Sequence, residues 1–287
     1  MRHDLSPATR IATRILERPL SRRQAFVGGA AIAAMSWLPG SARAQQASPA
    51  APPEGATGGV LRVGVQGDPT ELDPALVVLD AASLIIDLVY DGLVHEDADL
   101  VPRPALAESW EISGDGTVYT FRLRPNVSFH NGRQLLADDV IYSIRRVMDP
   151  ATASPWVTYT DGIESIEAPD DRTVVFTLAA PDASFLAKLC RRGLSIVPRE
   201  EVENRGDLRQ VMIGTGPFTF TEYVPNSHIT LGRNAAFWRT GKPYLDGLEI
   251  QILPEDTART TALISGTVDF IEFVPHKDVA IVEMEPQ

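Results

Sequence analysis

A chain of 287 residues is long enough for one large domain or two ordinary ones with cores of their own. With 44% hydrophobic and 22% charged residues its composition is that of a soluble globular protein. The formal net charge of −12, with no basic patch interleaved with aromatics, argues against nucleic acid and anionic membrane surfaces as partners.

The first 44 residues run against that charge, with seven Arg and two acidic residues. Arg22 and Arg23 precede an uncharged, Ala/Gly-rich stretch over 25–38, and Pro39-Gly40 breaks it. Ala42 and Ala44 then place small residues at the spacing a signal peptidase reads. Fourteen helical residues rise only about 21 Å, short of a hydrocarbon core of about 30 Å, so a transmembrane span is not expected. The paired arginines resemble a twin-arginine export signal, although Phe26 sits one place later than in its commonest form; an ordinary secretory signal with a basic leader is the alternative. No cysteine stands near the cleavage region, so no lipid anchor is expected and the mature protein should be free in the periplasm. Residues 45–57, QQASPAAPPEGAT, lack periodicity and are read as a disordered linker.

The β-branched run over 60–65 predicts a buried strand, ended by Gly67-Asp68-Pro69. Leu84, Ile85, Leu88 and Val89 predict a helix over 81–90, with Asp80 as its N-cap. Gly114-Asp115-Gly116 joins two strands, 110–112 and 118–123, in a hairpin. Over 138–148 an apolar stripe of Val140, Ile141, Ile144, Val147 and Met148 predicts a helix. Asp138 and Asp139 in its first turn and Arg145 and Arg146 in its last complement the helix dipole. A second hairpin pairs 163–168 with 173–178, and Asp182 is expected to cap a helix over 182–189. Cys190, the one cysteine, excludes an intrachain disulfide and is read as a buried structural thiol. Strands over 218–224, 229–233 and 248–253, a helix over 256–264 and a strand over 268–271 complete the pattern, which is α+β or mixed α/β.

Several of these stretches resemble one family. PALAESWEISGDGTVYTFRLRPNVSFHNG, Gly214-Thr215-Gly216-Pro217-Phe218, Asn234-Ala235-Ala236-Phe237-Trp238 and Ser265-Gly266-Thr267-Val268-Asp269 are similar, in the same order, to the extracytoplasmic solute-binding proteins of peptide- and nickel-type ABC importers, solute-binding family 5. The resemblance implies a periplasmic-binding-protein-like fold, type II and cluster C-like, with an inserted subdomain. Residues 58–92 and 207–287 would form parts of a first lobe and 93–206 the insertion. Family members are longer, so nearly all of a second lobe is expected to be missing.

No catalytic constellation is visible: G-x-S-x-G, H-E-x-x-H and C-x-x-C are all absent. Gly214-Thr215-Gly216 lacks the Lys-Ser/Thr of a phosphate loop, and Pro217 removes an N–H, so it is read as a turn entering a strand. The five histidines are scattered, and no metal or other cofactor is expected. What the resemblance implies is a binding site. Its cleft-facing positions fall on the loop from Leu72-Asp73-Pro74 to Asp80, with Val78 and Asp80 as best matches, and on Trp156, whose ring would wall a ligand while its indole N–H donates one hydrogen bond. Against these, Asp80 is also read as a helix cap, the favoured reading for it, and Trp156 as core. The expected function is capture of an oligopeptide or similar small solute, as a monomer, for an ABC permease. A truncated, non-binding remnant of such a protein is the second expectation, and an exported hydrolase the third.

Overall fold

The computed structural model describes residues 57–69, 71–78 and 80–284 and contains two large hydrophobic cores built from alternating stretches of chain, with a small third cluster at Ala262, Val268 and Ile271. The first lies on a five-stranded sheet ordered β11-β1-β10-β9-β8. Strand β1 (Val60–Val65) runs parallel to both its neighbours, β10 (Gly247–Ile252) and β11 (Phe270–Ile271). Strands β8 (Phe218–Val224) and β9 (His228–Arg233) form an antiparallel hairpin that pairs with β10. Helix α1 (Asp80–Val89) packs against this sheet, and its Leu84, Ile85, Ile86, Leu88 and Val89 are all fully buried. A helix apolar on nearly every side has to be enclosed on nearly every side, and α1 is therefore an internal element.

The second core lies on a four-stranded antiparallel sheet ordered β4-β5-β7-β6. It comprises β4 (Ala107–Ile112), β5 (Val118–Leu123), β6 (Ile163–Asp170) and β7 (Thr173–Leu178). Alternation puts Tyr119, Phe121 and Leu123 of β5 on the same buried face as Val174, Phe176 and Leu178 of β7. Phe121 and Phe176 meet edge-to-face with ring centroids 5.6 Å apart, and Phe185 closes on Phe176 at 5.4 Å. Helix α2 (Ala137–Met148) covers the sheet with Val140, Ile144 and Val147. At its start Asp139 accepts the Leu136 N–H and pairs with Arg133, which keeps a buried carboxylate satisfied.

Several elements differ from expectation. The helix expected over 182–189 is only α3 (Phe185–Leu189); Asp182 accepts instead from the Ser184 N–H and hydroxyl and pairs with Lys188, which holds its carboxyl down at about 2. The last expected strand shrinks to Phe270–Ile271, because the Val268 N–H turns back to the Ala262 carbonyl of the helix before it, α5 (Asp256–Ile264). Two three-residue strands, β2 (Val94–Glu96) and β3 (Pro102–Pro104), and the helices α4 (Arg199–Arg205) and α6 (Val279–Met284) were not expected. The chain returns to the first core at Val197, which with Val202 and Leu208 packs among the β-sheet residues. Among the described residues no helix is long and apolar enough to cross a membrane, and no cluster of three His, Cys, Asp or Glu could hold a metal ion. Arg22, Arg23, Ala42 and Ala44 lie outside the described residues.

Candidate functional site

The loop that follows β1 has no strand partner, so other bonds must fix its shape. Asp73, midway along it, fixes the stretch that leads to α1. The carboxylate is fully buried and accepts a two-pronged bond from the Arg146 guanidinium at the end of α2, with Nη1 at 2.8 Å and Nη2 on the other oxygen. It also accepts the Ala75 and Leu208 N–H groups, each at 3.1 Å. Burial works against the charge on Arg146, yet its bonds to Asp73 keep its pKa above the ordinary value. Arg146 thus does more than complement the helix dipole. It joins α2, the β1–α1 loop and the segment at Leu208.

Two further bonds tie the loop to the turn after α2. Ser154 Oγ donates to the Ala75 carbonyl at 2.6 Å, and the Trp156 indole N–H donates to the Val77 carbonyl at 2.8 Å. The structure therefore brings two of the expected positions together, because Val78, 64% exposed, directly follows the residue that the Trp156 indole grips. The one hydrogen bond expected of the indole N–H goes to the protein backbone, at the Val77 carbonyl. Asp80 is the first residue of α1, but its side chain lies outside the described residues.

Trp156 is seated on Gly193. A Cβ at that glycine would fall 2.0 Å from the ring carbon Cγ, so the indole lies flat on bare backbone. Tyr159 flanks the ring at 5.6 Å between centroids. Beside Gly193, Arg192 pairs with Asp87 of α1 at 3.5 Å. Burial pushes the Asp87 carboxyl up to about 6, with Arg192 opposing the shift.

The Gly214-Thr215-Gly216 segment is a packed backbone junction. Added Cβ atoms at Gly214 and Gly216 would meet the backbone of Val89 at 2.1 and 2.6 Å. The Gly216 N–H donates to the Val89 carbonyl, and the Gly214 N–H donates to His130 Nδ1 at 3.3 Å. With Nδ1 accepting, His130 Nε2 donates to the Gly216 carbonyl at 3.0 Å. Burial lowers the His130 pKa, as suits a neutral ring in that arrangement. Thr215 Oγ1 and the Trp238 indole N–H both donate to one oxygen of Asp91, each at 3.0 Å. These donors are occupied, so the segment has no free cradle for a phosphate.

The sequence indicated Asp73 only as part of the loop and Arg146 only as a complement to the helix dipole, and it did not single out Ser154 or Gly193. Only Gly193 carries a local signal. Its φ is not positive, so a glycine there marks a close approach instead of a turn.

Exposed Val78 and the half-buried Trp156 ring thus lie on a loop and a turn that buried polar bonds hold together. A family model described as bacterial extracellular solute-binding proteins, family 5 Middle, matches residues 101–287. This chain belongs to that family. Among its relatives, heme-binding protein A of Haemophilus influenzae is 33% identical over 76% of this chain and 44% of that protein. Di/tripeptide-binding protein 2 of Pseudomonas aeruginosa is 36% identical over 64% of this chain and 39% of that protein. The structure superposes on the periplasmic binding protein DppA of Helicobacter pylori, in complex with peptide STSA, with a TM-score of 0.74 and 35% identity over 80% of this chain and 50% of that one. AgaA of Agrobacterium tumefaciens, in complex with agropinic acid, gives 0.77 and 32% identity over 80% and 47%. The family 5 chain described here thus has the mixed α/β fold of periplasmic binding proteins and spans half or less of the length of these relatives.

Proposed function

We propose that this chain supplies one wall of a solute-binding cleft in the periplasm and captures a peptide or similar small solute for an ABC permease. The observation that carries this reading is the bond from the Trp156 indole to the Val77 carbonyl, which sets an aromatic face beside the exposed Val78 and leaves no spare N–H at that ring. In this reading residues 58–92 and 207–287 belong to one lobe, residues 93–206 to an inserted subdomain, residues 1–44 to an export signal and residues 45–57 to a linker. Ligand held between this wall and an opposing lobe shifts a hinge equilibrium toward the closed form, because the closed form touches more of it. No covalent step is involved. Nucleotide hydrolysis belongs to the partner transporter.

Peptides are the first solutes to try, since a di/tripeptide-binding protein and a peptide complex stand among the relatives. Heme and agropinic acid follow, for the same reason. The test is thermal unfolding of the full chain with and without pooled di- to pentapeptides. A ligand that binds only the native state at about 100 times its Kd stabilises it by about 2.7 kcal/mol, an easily read rise in Tm. A transition indifferent to every pool overturns the proposal.

A further inference from the structure

We propose that Asp73 and Arg146, which face no ligand themselves, set ligand affinity by holding the loop 74–78 in place against Trp156. The inference rests on the reading of Val78 and Trp156 as the solute-facing wall. It starts from a pair that is fully satisfied and out of reach. Asp73 has no exposed surface and the Arg146 side chain is 9% exposed. The two oxygens that meet Arg146 also accept the Ala75 and Leu208 amides, so little acceptor capacity remains for a solute.

A buried ion pair is a weak source of net stability, since desolvation of both charges offsets most of their attraction. Its return is geometric. A guanidinium fork donates to a carboxylate in one preferred orientation, and here that orientation fixes Asp73, the residue that leads into the loop 74–78. From Asp73 the backbone is committed residue by residue. The Asp73 carbonyl accepts the Leu76 and Val77 N–H groups, the Ala75 carbonyl accepts Ser154, and the Val77 carbonyl accepts Trp156. Loss of the fork at Asp73 frees the start of that series, and the contact between the loop and Trp156 is its far end.

The test uses Arg146→Lys, which keeps the charge and removes the fork. Ile144→Val, on the same helix and buried in the second core, serves as control. The first readout is hydrogen exchange of the indole N–H groups in the full chain. Trp156 donates to Val77 and Trp238 donates to Asp91, so one ring reports the loop and the other reports the rest of the fold. Arg146→Lys is expected to accelerate exchange at Trp156 at least about tenfold and leave Trp238 unchanged, and Ile144→Val to change neither beyond its effect on global stability. The second readout is the Tm rise with pooled di- to pentapeptides, expected to fall in Arg146→Lys and to persist in Ile144→Val. Equal exchange at both rings in Arg146→Lys, or the same fractional loss of ligand response in both variants, overturns the proposal. If Arg146→Lys does not fold, Ser154→Ala cuts the Ala75 tether together with the bond that Ser154 Oγ accepts from the Trp156 amide, and is expected to accelerate Trp156 indole exchange; unchanged exchange there overturns it as well. A wild type that responds to no peptide overturns it through the site, and accelerated Trp156 exchange in Arg146→Lys identifies that failure as distinct from failure of the clamp.

Discussion

Gly193→Ala tests the seat of Trp156. The added Cβ would lie 2.0, 2.2 and 2.4 Å from Cγ, Cδ1 and Cδ2 of the indole, where unstrained carbon contacts fall near 3.5–4.0 Å. The ring must therefore retreat by about 1.5 Å. Its N–H lies 2.8 Å from the Val77 carbonyl, and a retreat of that size breaks the bond. Overpacking costs about 1–3 kcal/mol and the lost hydrogen bond about 1 more, so destabilisation of about 2–4 kcal/mol is expected. For a chain of this size that lowers Tm by roughly 5–15 °C, measured by calorimetry. The cause can be isolated by repeating the substitution in a Trp156→Ala background, where the ring no longer opposes it. There the cost of Gly193→Ala should fall to under about 1 kcal/mol, leaving a coupling of at least about 1 kcal/mol between the two sites. Strictly additive effects, or an unchanged Tm in the single variant, would show that the indole does not rest on Gly193.

Gly214→Ala places a Cβ 2.1 Å from the Val89 carbonyl oxygen, and here backbone must yield on both sides; a loss of about 3 kcal/mol is expected in urea unfolding. His95 is pushed down to about 4, first by burial and then by Arg239. Its unfolded value of about 6.5 is the higher one, so the unfolded chain takes up the proton first and stability falls as pH drops from about 6.5 toward about 4. His95→Gln should flatten that part of the stability–pH curve by on the order of 2 kcal/mol after allowance for partial exposure, and an unchanged curve would exclude the group as its cause. Cys190 donates to the Leu186 carbonyl, and burial, followed by Glu96, pushes its thiol up to about 12. A disulfide reagent at about pH 8 should react slowly with the native protein and roughly a thousandfold faster in denaturant, and equal rates would show an open thiol.

What was legible in the sequence was local. The alternation in β5 and β7 and the stripe of α2 each repeat within one element, and the Gly114-Asp115-Gly116 turn lies between its own strands. The missed pieces lack such a signal. Helix α4, REEVENR, has a single buried apolar residue, Val202, and is held by the pairs Arg199–Glu203 and Arg205–Glu201 and a Gly206 at φ 87°. Strands β2 and β3 are three residues each, and β3 contains two prolines that argue against a strand. At the candidate site the loop and Trp156 were indicated by family resemblance, but what holds them was not. Arg146 is 73 residues from Asp73, and Trp156 is 79 from Val77, so the partners become neighbours only when the two cores dock. Read alone, Arg146 is one more basic residue at a helix end.

Val78→Asp asks most directly whether the Val78 and Trp156 face takes the solute. Val78 is 64% exposed, so a carboxylate there should leave Tm unchanged while placing a charge on an apolar wall. Calorimetric titration with the strongest peptide from the pools should show affinity reduced at least tenfold, about 1.4 kcal/mol, relative to wild type. Equal affinity in a protein of equal stability would place the solute somewhere else.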